Sequence, residues 1–160
     1  MARTTNEHVI TVQSAKLGGV TVDSDVGSGS LIYPGHLLQK RANGMIIHGT
    51  AGGFSAGLVA LPHKTPNTDT YATSGVLQTP YAEGESVYFA RAQKGDILNI
   101  RILAQESTVE GVTLLGSDGA GHVQAIGSAG VNAGTSNPVG LAWETITTAG
   151  SATFVRVLIT

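Results

Sequence analysis

The sequence contains no cysteine among its 160 residues. Disulfides, thiolate metal sites and cysteine nucleophiles are therefore excluded. Charged residues make up only 12% of the chain, against a usual share of about 25%, and the formal net charge is −2. Without clustered Lys and Arg, no electrostatic surface for direct contact with nucleic acid is predicted. A small domain with so few charges is expected to have part of its surface covered by partners.

Long apolar runs and aromatic residues are also scarce. No segment has the length of a transmembrane helix, and the polar residues 1–8 lack the apolar stretch of a secretory signal. We therefore expect synthesis in the cytoplasm and no contact with a membrane. Aromatic residues make up 5%, and the neighbours Tyr88 and Phe89 would point to opposite faces of a strand, so they cannot form one stacking platform. The single tryptophan, Trp143, is interpreted as a core residue or an interface anchor.

Glycine, by contrast, is abundant, with 22 residues, close to twice the average share of about 7%. Glycine weakens helices and strands and collects where the backbone turns. Its spacing here leaves few segments long enough for a stable helix. We predict an all-β fold, namely a small barrel-like or sandwich-like body of short antiparallel strands with an extended N-terminal arm and little helix.

Two pairs of segments are predicted to form β-hairpins. Residues 86–92 and 96–103 are joined by Gln93-Lys94-Gly95, and residues 112–115 and 122–126 flank an Asp-Gly turn. In the first pair, three aliphatic residues alternate with Asn99 and Arg101, which predicts one apolar and one polar face. The same segment also fits one helix of about three turns. The last segment, 153–160, is predicted to be held in a sheet.

The N-terminal part divides at a polar stretch, 23–30, which is typical of a flexible joint. We predict that residues 1–28 are an arm and that residues 29–160 are the body. The pattern fits an alternative equally well, in which Val9–Val12 is simply the first strand of the body.

One motif suggests catalysis. Residues 53–57 match the G-x-S-x-G pattern around a nucleophilic serine, here Ser55. That motif needs a following helix, whereas here a strand-like run ends at Pro62. The glycine clusters at 116–121 and 127–130 likewise precede no helical pattern, so no phosphate cradle is predicted. The chain is therefore not expected to be an enzyme.

The five histidines are scattered without the spacing of metal ligands. His36 and His63 are predicted to be plain loop residues, and His48 is predicted to be a packed, hydrogen-bonded end of a strand. No catalytic residue, cofactor-binding residue or metal ligand is predicted.

Six segments together resemble the head decoration (capsid cement) proteins of tailed phages. Each segment alone is common, and the specificity lies in their order and spacing. The segments are 32–38 (IYPGHLL), 81–87 (YAEGESV), 94–99 (KGDILN), 115–119 (LGSDG), 139–144 (VGLAWE) and 156–159 (RVLI).

The resemblance implies a homotrimer of β-rich bodies on the outer surface of the virion, with arms lying on the major capsid protein. The head would thereby be stabilised against the pressure of packed DNA. A β-branched arm can add as a strand to an exposed sheet edge of another subunit, which fits this role independently. The alternative is a non-catalytic ligand-binding or adhesion barrel for carbohydrate or oligonucleotide. The predicted capsid-binding residues of the arm are Arg3, Glu7, His8, Val9, Ile10, Thr11 and Val12.

Overall fold

A computed structural model describes residues 11–13, 21–29, 31–53, 55–63, 77–127, 134–151 and 153–160. Over these ranges every regular element is a β-strand, which confirms the all-β prediction. No helix of these residues is long and apolar enough to cross a membrane. The strands are β1 (Thr11–Gln13), β2 (Thr21–Val26), β3 (Leu37–Arg41), β4 (Gly44–Ile47), β5 (Leu58–Ala60), β6 (Ser86–Arg91), β7 (Ile97–Ile102), β8 (Ser107–Thr108), β9 (Leu114–Ser117), β10 (Val123–Ala125), β11 (Gly140–Ala142), β12 (Ile146–Thr147) and β13 (Thr153–Ile159).

Five strands close into a small barrel in the order β7-β10-β9-β11-β13, with β13 returning to β7. The β7–β13 pair is antiparallel and runs from Thr153↔Ile102 to Leu158↔Ile97. β10 meets β7 in parallel, through Val123 and Ile102. Alternate residues of each strand fill the interior, because successive side chains point to opposite faces. The filled interior includes Leu98, Ile100, Leu115, Val155 and Val157.

A second sheet has the order β2-β6-β5-β3-β4, and its two edges approach each other. A parallel bridge between Gly27 and Met45 links the end of β2 to β4, so the sheet curls around its own core. We call it the curled sheet. Its core includes Leu38, Met45, Val87 and Phe89.

The predicted hairpin at the Asp-Gly turn is confirmed. β9 and β10 pair antiparallel from Val123↔Ser117 to Ala125↔Leu115, and Gly119 has a φ of +84°. A positive φ is open to glycine without the steric cost that a Cβ would bring.

The other predicted hairpin is wrong. Within the described pairings, β6 bonds to β2 and β5, whereas β7 bonds to β1, β10 and β13. The intervening turn is bound to the barrel, because Gly95 N–H donates to Ile159 O at 2.9 Å and Ile159 N–H donates to Asp96 O at 2.9 Å. The turn therefore passes the chain from one sheet to the other. The alternation along β7 is present, but Asn99 and Arg101 are also buried, since both faces of this strand are covered.

The predicted joint at 23–30 is also wrong over its first half. β2 pairs with β6 from Thr21↔Arg91 to Val26↔Ser86, so this stretch is a regular part of the curled sheet. Ahead of it, β1 pairs with β7 of the same chain through Thr11↔Leu98 and Gln13↔Ile97. At Thr11 and Val12 the backbone therefore agrees with the alternative prediction, in which this segment is the first strand of the body. A functional division at residue 28 stays a prediction.

The C-terminal prediction is confirmed. β13 is hydrogen-bonded on one side to β7 and on the other to β11. The last strand, β13, is therefore one of the five strands that form the barrel wall.

Candidate functional site

A row of aliphatic side chains crosses the outside of the barrel. Leu141 lies opposite Leu114 on one side and opposite Leu158 on the other. Ile126 continues the row, since its N–H donates to Leu114 O at 2.9 Å. Residues directly opposite each other in antiparallel strands share a face, with Cβ atoms about 5 Å apart. These four residues, the aliphatic row, therefore form a continuous stripe over four strands.

The row faces away from the barrel core. Leu114 is 44% exposed, whereas the next residue, Leu115, is fully buried. Leu141 likewise stands between the buried Gly140 and Ala142. The strands thus place an aliphatic residue on each face. On the outer face Leu114 is exposed, and Ile126, Leu141 and Leu158 are half-buried.

Trp143 extends this surface. It stands two residues after Leu141, and its N–H donates to Arg156 O at 2.8 Å, which continues the ladder. Its side chain is 39% exposed. Beside it, the turn at 109–113 is held by Gly111 N–H donating to Ala142 O at 2.9 Å, and this turn presents Val109 and Val112 to solvent. We call the aliphatic row, Trp143, Val109 and Val112 together the apolar face.

Charges of both signs border the apolar face. Arg156 lies on β13 between Phe154 and Leu158, and Glu110 belongs to the exposed turn. Arg156 Nε is buried and has no hydrogen-bond partner among the described residues. A buried N–H without an acceptor costs about 1–3 kcal/mol. Contiguous exposed apolar surface with a polar border is typical of protein interaction sites.

A cluster of polar side chains lies where the β9–β10 hairpin meets the curled sheet. His48 Nδ1 is 2.7 Å from Ser117 Oγ, and His122 Nδ1 is 3.0 Å from Asp118 Oδ2. The His36 ring packs edge-on against the His122 ring, with centroids 5.0 Å apart. The backbone joins here too, through Leu37 N–H donating to Gly121 O at 2.7 Å. We call His36, His48, Ser117, Asp118 and His122 the histidine joint.

Burial controls ionisation in the histidine joint. His36 is only 6% exposed, and this burial, together with nearby His122 and Arg101, lowers its pKa from 6.5 to about 3. Tyr33 N–H donates to His36 Nδ1 at 3.3 Å, so the neutral ring carries its proton on Nε2. The prediction that His36 is a plain loop residue is wrong, because Gly35 and Gly121 let it pack between the two sheets. The prediction for His48 is confirmed, since it is 3% exposed and bonded at the end of β4.

For Asp118, burial raises the pKa, but hydrogen bonds from His122 and from the N–H of Ala120 outweigh it and hold the pKa below the usual value. The carboxylate is therefore ionised at neutral pH, and it orients His122. The cluster supplies no accessible nucleophile, because Ser117 is fully buried. Its arrangement fixes the hairpin to the curled sheet.

Ser55 of the G-x-S-x-G motif lies in the loop before β5, and its Oγ accepts from Gly57 N–H at 3.3 Å. A strand follows the motif, as predicted, and not the helix that a nucleophile elbow requires. Ser55 borders a shallow cavity of about 190 Å³ with Lys94. Among the described residues that line it, none is a histidine, aspartate or glutamate.

No grouping of three or more His, Cys, Asp or Glu suited to a metal ion occurs among the described residues. Phe89 and Tyr88 lie on opposite faces of β6, as predicted: Phe89 belongs to the core of the curled sheet, and Tyr88 packs against that core only in part. His63 stacks on Tyr81, with ring centroids 3.8 Å apart. It is thus a packed loop residue.

The residues predicted for capsid binding are only partly within the structure. Arg3, Glu7, His8, Val9 and Ile10 lie outside the described residues, and Thr11 and Val12 lie in β1. Trp143 is on the apolar face. The aliphatic row was missed by the sequence analysis, although the adjacent Leu114-Leu115 carries a signal, since one of two successive strand residues must point outward.

Comparison with known proteins adds no relative, as no family model matches the chain and no curated protein matches it significantly in sequence.

Proposed function

We propose that this protein is a non-enzymatic structural component of a phage virion that binds the outer surface of the capsid as a homotrimer. Its partners are copies of itself and the major capsid protein. In this role it stabilises the head against the pressure of packed DNA. The proposal rests on the resemblance described above and on the surface of the barrel.

The apolar face is the observation that carries the proposal. A barrel that works alone has no need of an aliphatic row with Trp143 on its outside, because a buried apolar side chain contributes about 1.5–3 kcal/mol and an exposed one contributes little. A trimer around a three-fold axis covers such a face on every subunit at once. Copies of this chain also supply the matching charges, because Arg156 and Glu110 lie at the border of the same face.

The N-terminal segment is assigned the contact with the capsid. Among the described residues, β1 is joined to the barrel through two paired positions, with an irregular register between them. A β-branched segment of this kind can also pair with a sheet edge of another subunit, where backbone hydrogen bonds supply affinity without charges. Three such segments per trimer would add avidity to each weak contact.

Co-sedimentation tests this function. Purified protein is mixed with empty expanded heads and with unexpanded heads of the phage that encodes it, and the pellets are compared. We expect binding to expanded heads only. A chain that lacks residues 2–13 is expected to keep its fold and its trimeric state and to lose at least about 90% of head binding.

Glu83→Gln, in an exposed turn that belongs neither to residues 2–13 nor to the apolar face, serves as the matched control and should bind like the parent chain. Failure of the parent protein to bind any head would contradict the capsid assignment. Undiminished binding after deletion of 2–13 would contradict the role of the arm.

A further inference from the structure

The open end of the curled sheet contains a cavity of about 360 Å³. This volume falls within the range of small-molecule sites, about 300–1,000 Å³, and the mouths of β-barrels are frequent places for them. The cavity floor consists of Met45, Leu58 and Phe89. Its rim consists of Asp23, Asp25, Lys40 and Arg91, with Ser24 beside them.

The two aspartates of β2 lie on the face of the curled sheet that carries core residues. Asp23 lies opposite Phe89, and Asp25 lies opposite Val87, so both aspartates share the face of two core residues. Val26, on the other face, is 48% exposed. A strand on a core usually places apolar residues inward and polar residues outward, and departures from that pattern concentrate at functional sites.

The rim charges form two ion pairs. Arg91 Nη2 lies 2.6 Å from Asp23 Oδ2, and Lys40 contacts Asp25. The guanidinium carbon of Arg91 is also 5.7 Å from the centroid of the Phe89 ring. The hydrogen bond from Arg91 keeps the pKa of Asp23 below its usual value, so the pair is ionised at neutral pH.

Such pairs can exchange partners at little cost. The side chains of Lys40 and Arg91 are 60% and 55% exposed, and those of their partners Asp25 and Asp23 are 23% and 47% exposed. Exposed ion pairs contribute only about 0–1 kcal/mol. A ligand that brings one charge of each sign can replace these contacts without leaving a charge unpaired. A ligand with a single charge leaves one rim residue without compensation.

We infer that the mouth of the curled sheet is a binding site for a small zwitterion with an apolar side chain, of the class of free leucine or phenylalanine. The ammonium group contacts Asp23 and Asp25, and the carboxylate contacts Lys40 and Arg91. The apolar side chain packs toward Met45, Leu58 and Phe89. This site lies on the curled sheet, away from the apolar face of the barrel, and it does not depend on the proposed role at the capsid.

Isothermal titration of the full chain with phenylalanine tests the inference, with phenethylamine and 3-phenylpropanoate as the two singly charged analogues. We expect phenylalanine to bind with a Kd of about 1 mM or tighter, and each analogue to bind at least about tenfold more weakly. Asp25→Asn and Lys40→Met should each weaken binding of phenylalanine about tenfold.

Glu83→Gln and Lys94→Met remove the same two kinds of charge at exposed positions that do not line the cavity and should leave the Kd unchanged. Thermal unfolding of each variant verifies its fold, and the analogue series on the parent chain decides the question if a cavity variant fails to fold. Absence of saturable phenylalanine binding would overturn the inference. Equal binding of an analogue, or an unchanged Kd in both folded cavity variants, would overturn the zwitterion class.

Discussion

Individual side chains show how strongly burial changes the chemistry that a residue type suggests. His36 follows Pro34 and Gly35 in a turn, and its neighbours in sequence give no reason to expect a buried ring. The His36 ring is buried because Gly121 packs against it. Gly121 lies so close that a Cβ at this position would come within 3.2 Å of the ring. That contact joins positions 85 residues apart in the chain, and no local pattern reports it.

The neutral state of His36 makes the stability of the fold dependent on pH. The groups that face it are His122, Arg101, Asp118 and Tyr33. The folded pKa of about 3 lies below the ordinary 6.5, so the unfolded chain takes up a proton before the folded chain does. The stabilisation is complete above pH 6.5 and is lost as the pH falls toward 3. The free energy of unfolding should therefore decrease by up to about 1.4 kcal/mol per pH unit in this window.

Urea unfolding of the parent chain and of His36→Gln at several pH values measures this dependence. The variant should show a shallower decline between pH 6.5 and pH 4, even if its absolute stability is lower. Parallel curves for the two proteins would refute the assignment. Asp118 contributes separately and at lower pH, because its lowered pKa gives stability that is lost only as the carboxylate is protonated.

Arg101 is the second residue whose environment departs from its type. It is 6% exposed, and its guanidinium carbon lies 5.0 Å from the ring centroids of both Tyr33 and Phe154. Its Nε donates to Pro34 O at 2.9 Å, and one Nη donates to Gln78 Oε1 at 3.1 Å. Burial lowers the pKa of this guanidinium, and the carbonyl acceptors and the two rings hold the charge in place.

We expect Arg101→Lys to lower the free energy of unfolding by about 2–3 kcal/mol, because an ammonium group reproduces neither the planar fork nor the stacking. Arg91→Lys, at the exposed rim of the curled sheet, is the matched control and should change stability by less than about 0.5 kcal/mol. Chemical denaturation measures both. A loss below about 0.5 kcal/mol for Arg101→Lys would show that the buried fork contributes nothing.

At the scale of elements, the sequence predicts where strands lie better than it predicts which strands pair with each other. The Asp-Gly hairpin was predictable because the turn residues and the flanking strands specify each other locally. The pairing of β7 was not predictable, because both of its faces are buried and the residues of β13 that pair with it are 51 to 61 positions away in the chain. The same limit hid the apolar face, since only the pairing of β9, β11 and β13 aligns Leu114, Leu141 and Leu158 in one row.

The β9–β10 turn offers a test of how tightly the hairpin is fitted to the rest of the molecule. A Cβ at Gly119 would come within 2.8 Å of Ala51 N, and its φ is +84°. A Cβ at Gly84, with a φ of +86°, would meet nothing within 4 Å. Gly84→Ala should thus cost only the backbone strain of about 1 kcal/mol, whereas Gly119→Ala adds a clash with backbone and should cost about 2–4 kcal/mol.

Thermal or urea unfolding distinguishes these two variants directly, since the φ angles of the two glycines are nearly the same. Equal destabilisation would mean that the hairpin tip is not packed against residue 51. A larger destabilisation by Gly119→Ala, together with faster hydrogen exchange at Leu37 N–H, would show that the lost stability comes from the contact between the hairpin and the curled sheet.

At the scale of the whole molecule, the barrel and the curled sheet differ in the polarity of their surfaces. The curled sheet has charged residues at its mouth, and the barrel has an apolar exterior on β9, β11 and β13. For a protein with a charged fraction of only 12%, an exposed face of this kind is costly unless a partner covers it. Association with sister copies gives every subunit the same contact and closes the assembly, whereas a head-to-tail contact that does not close would lead to filaments.

Sedimentation equilibrium of the parent chain and of the variant Leu114→Lys/Leu141→Lys tests this central claim most directly. The parent chain, with a subunit mass of 16.3 kDa, should sediment as a trimer of about 49 kDa, and the folded variant should sediment as a monomer. Ser86→Lys/Glu83→Lys, on exposed positions away from the barrel, should remain trimeric. A parent chain that stays monomeric at every concentration, or a folded row variant that stays trimeric, would contradict the account.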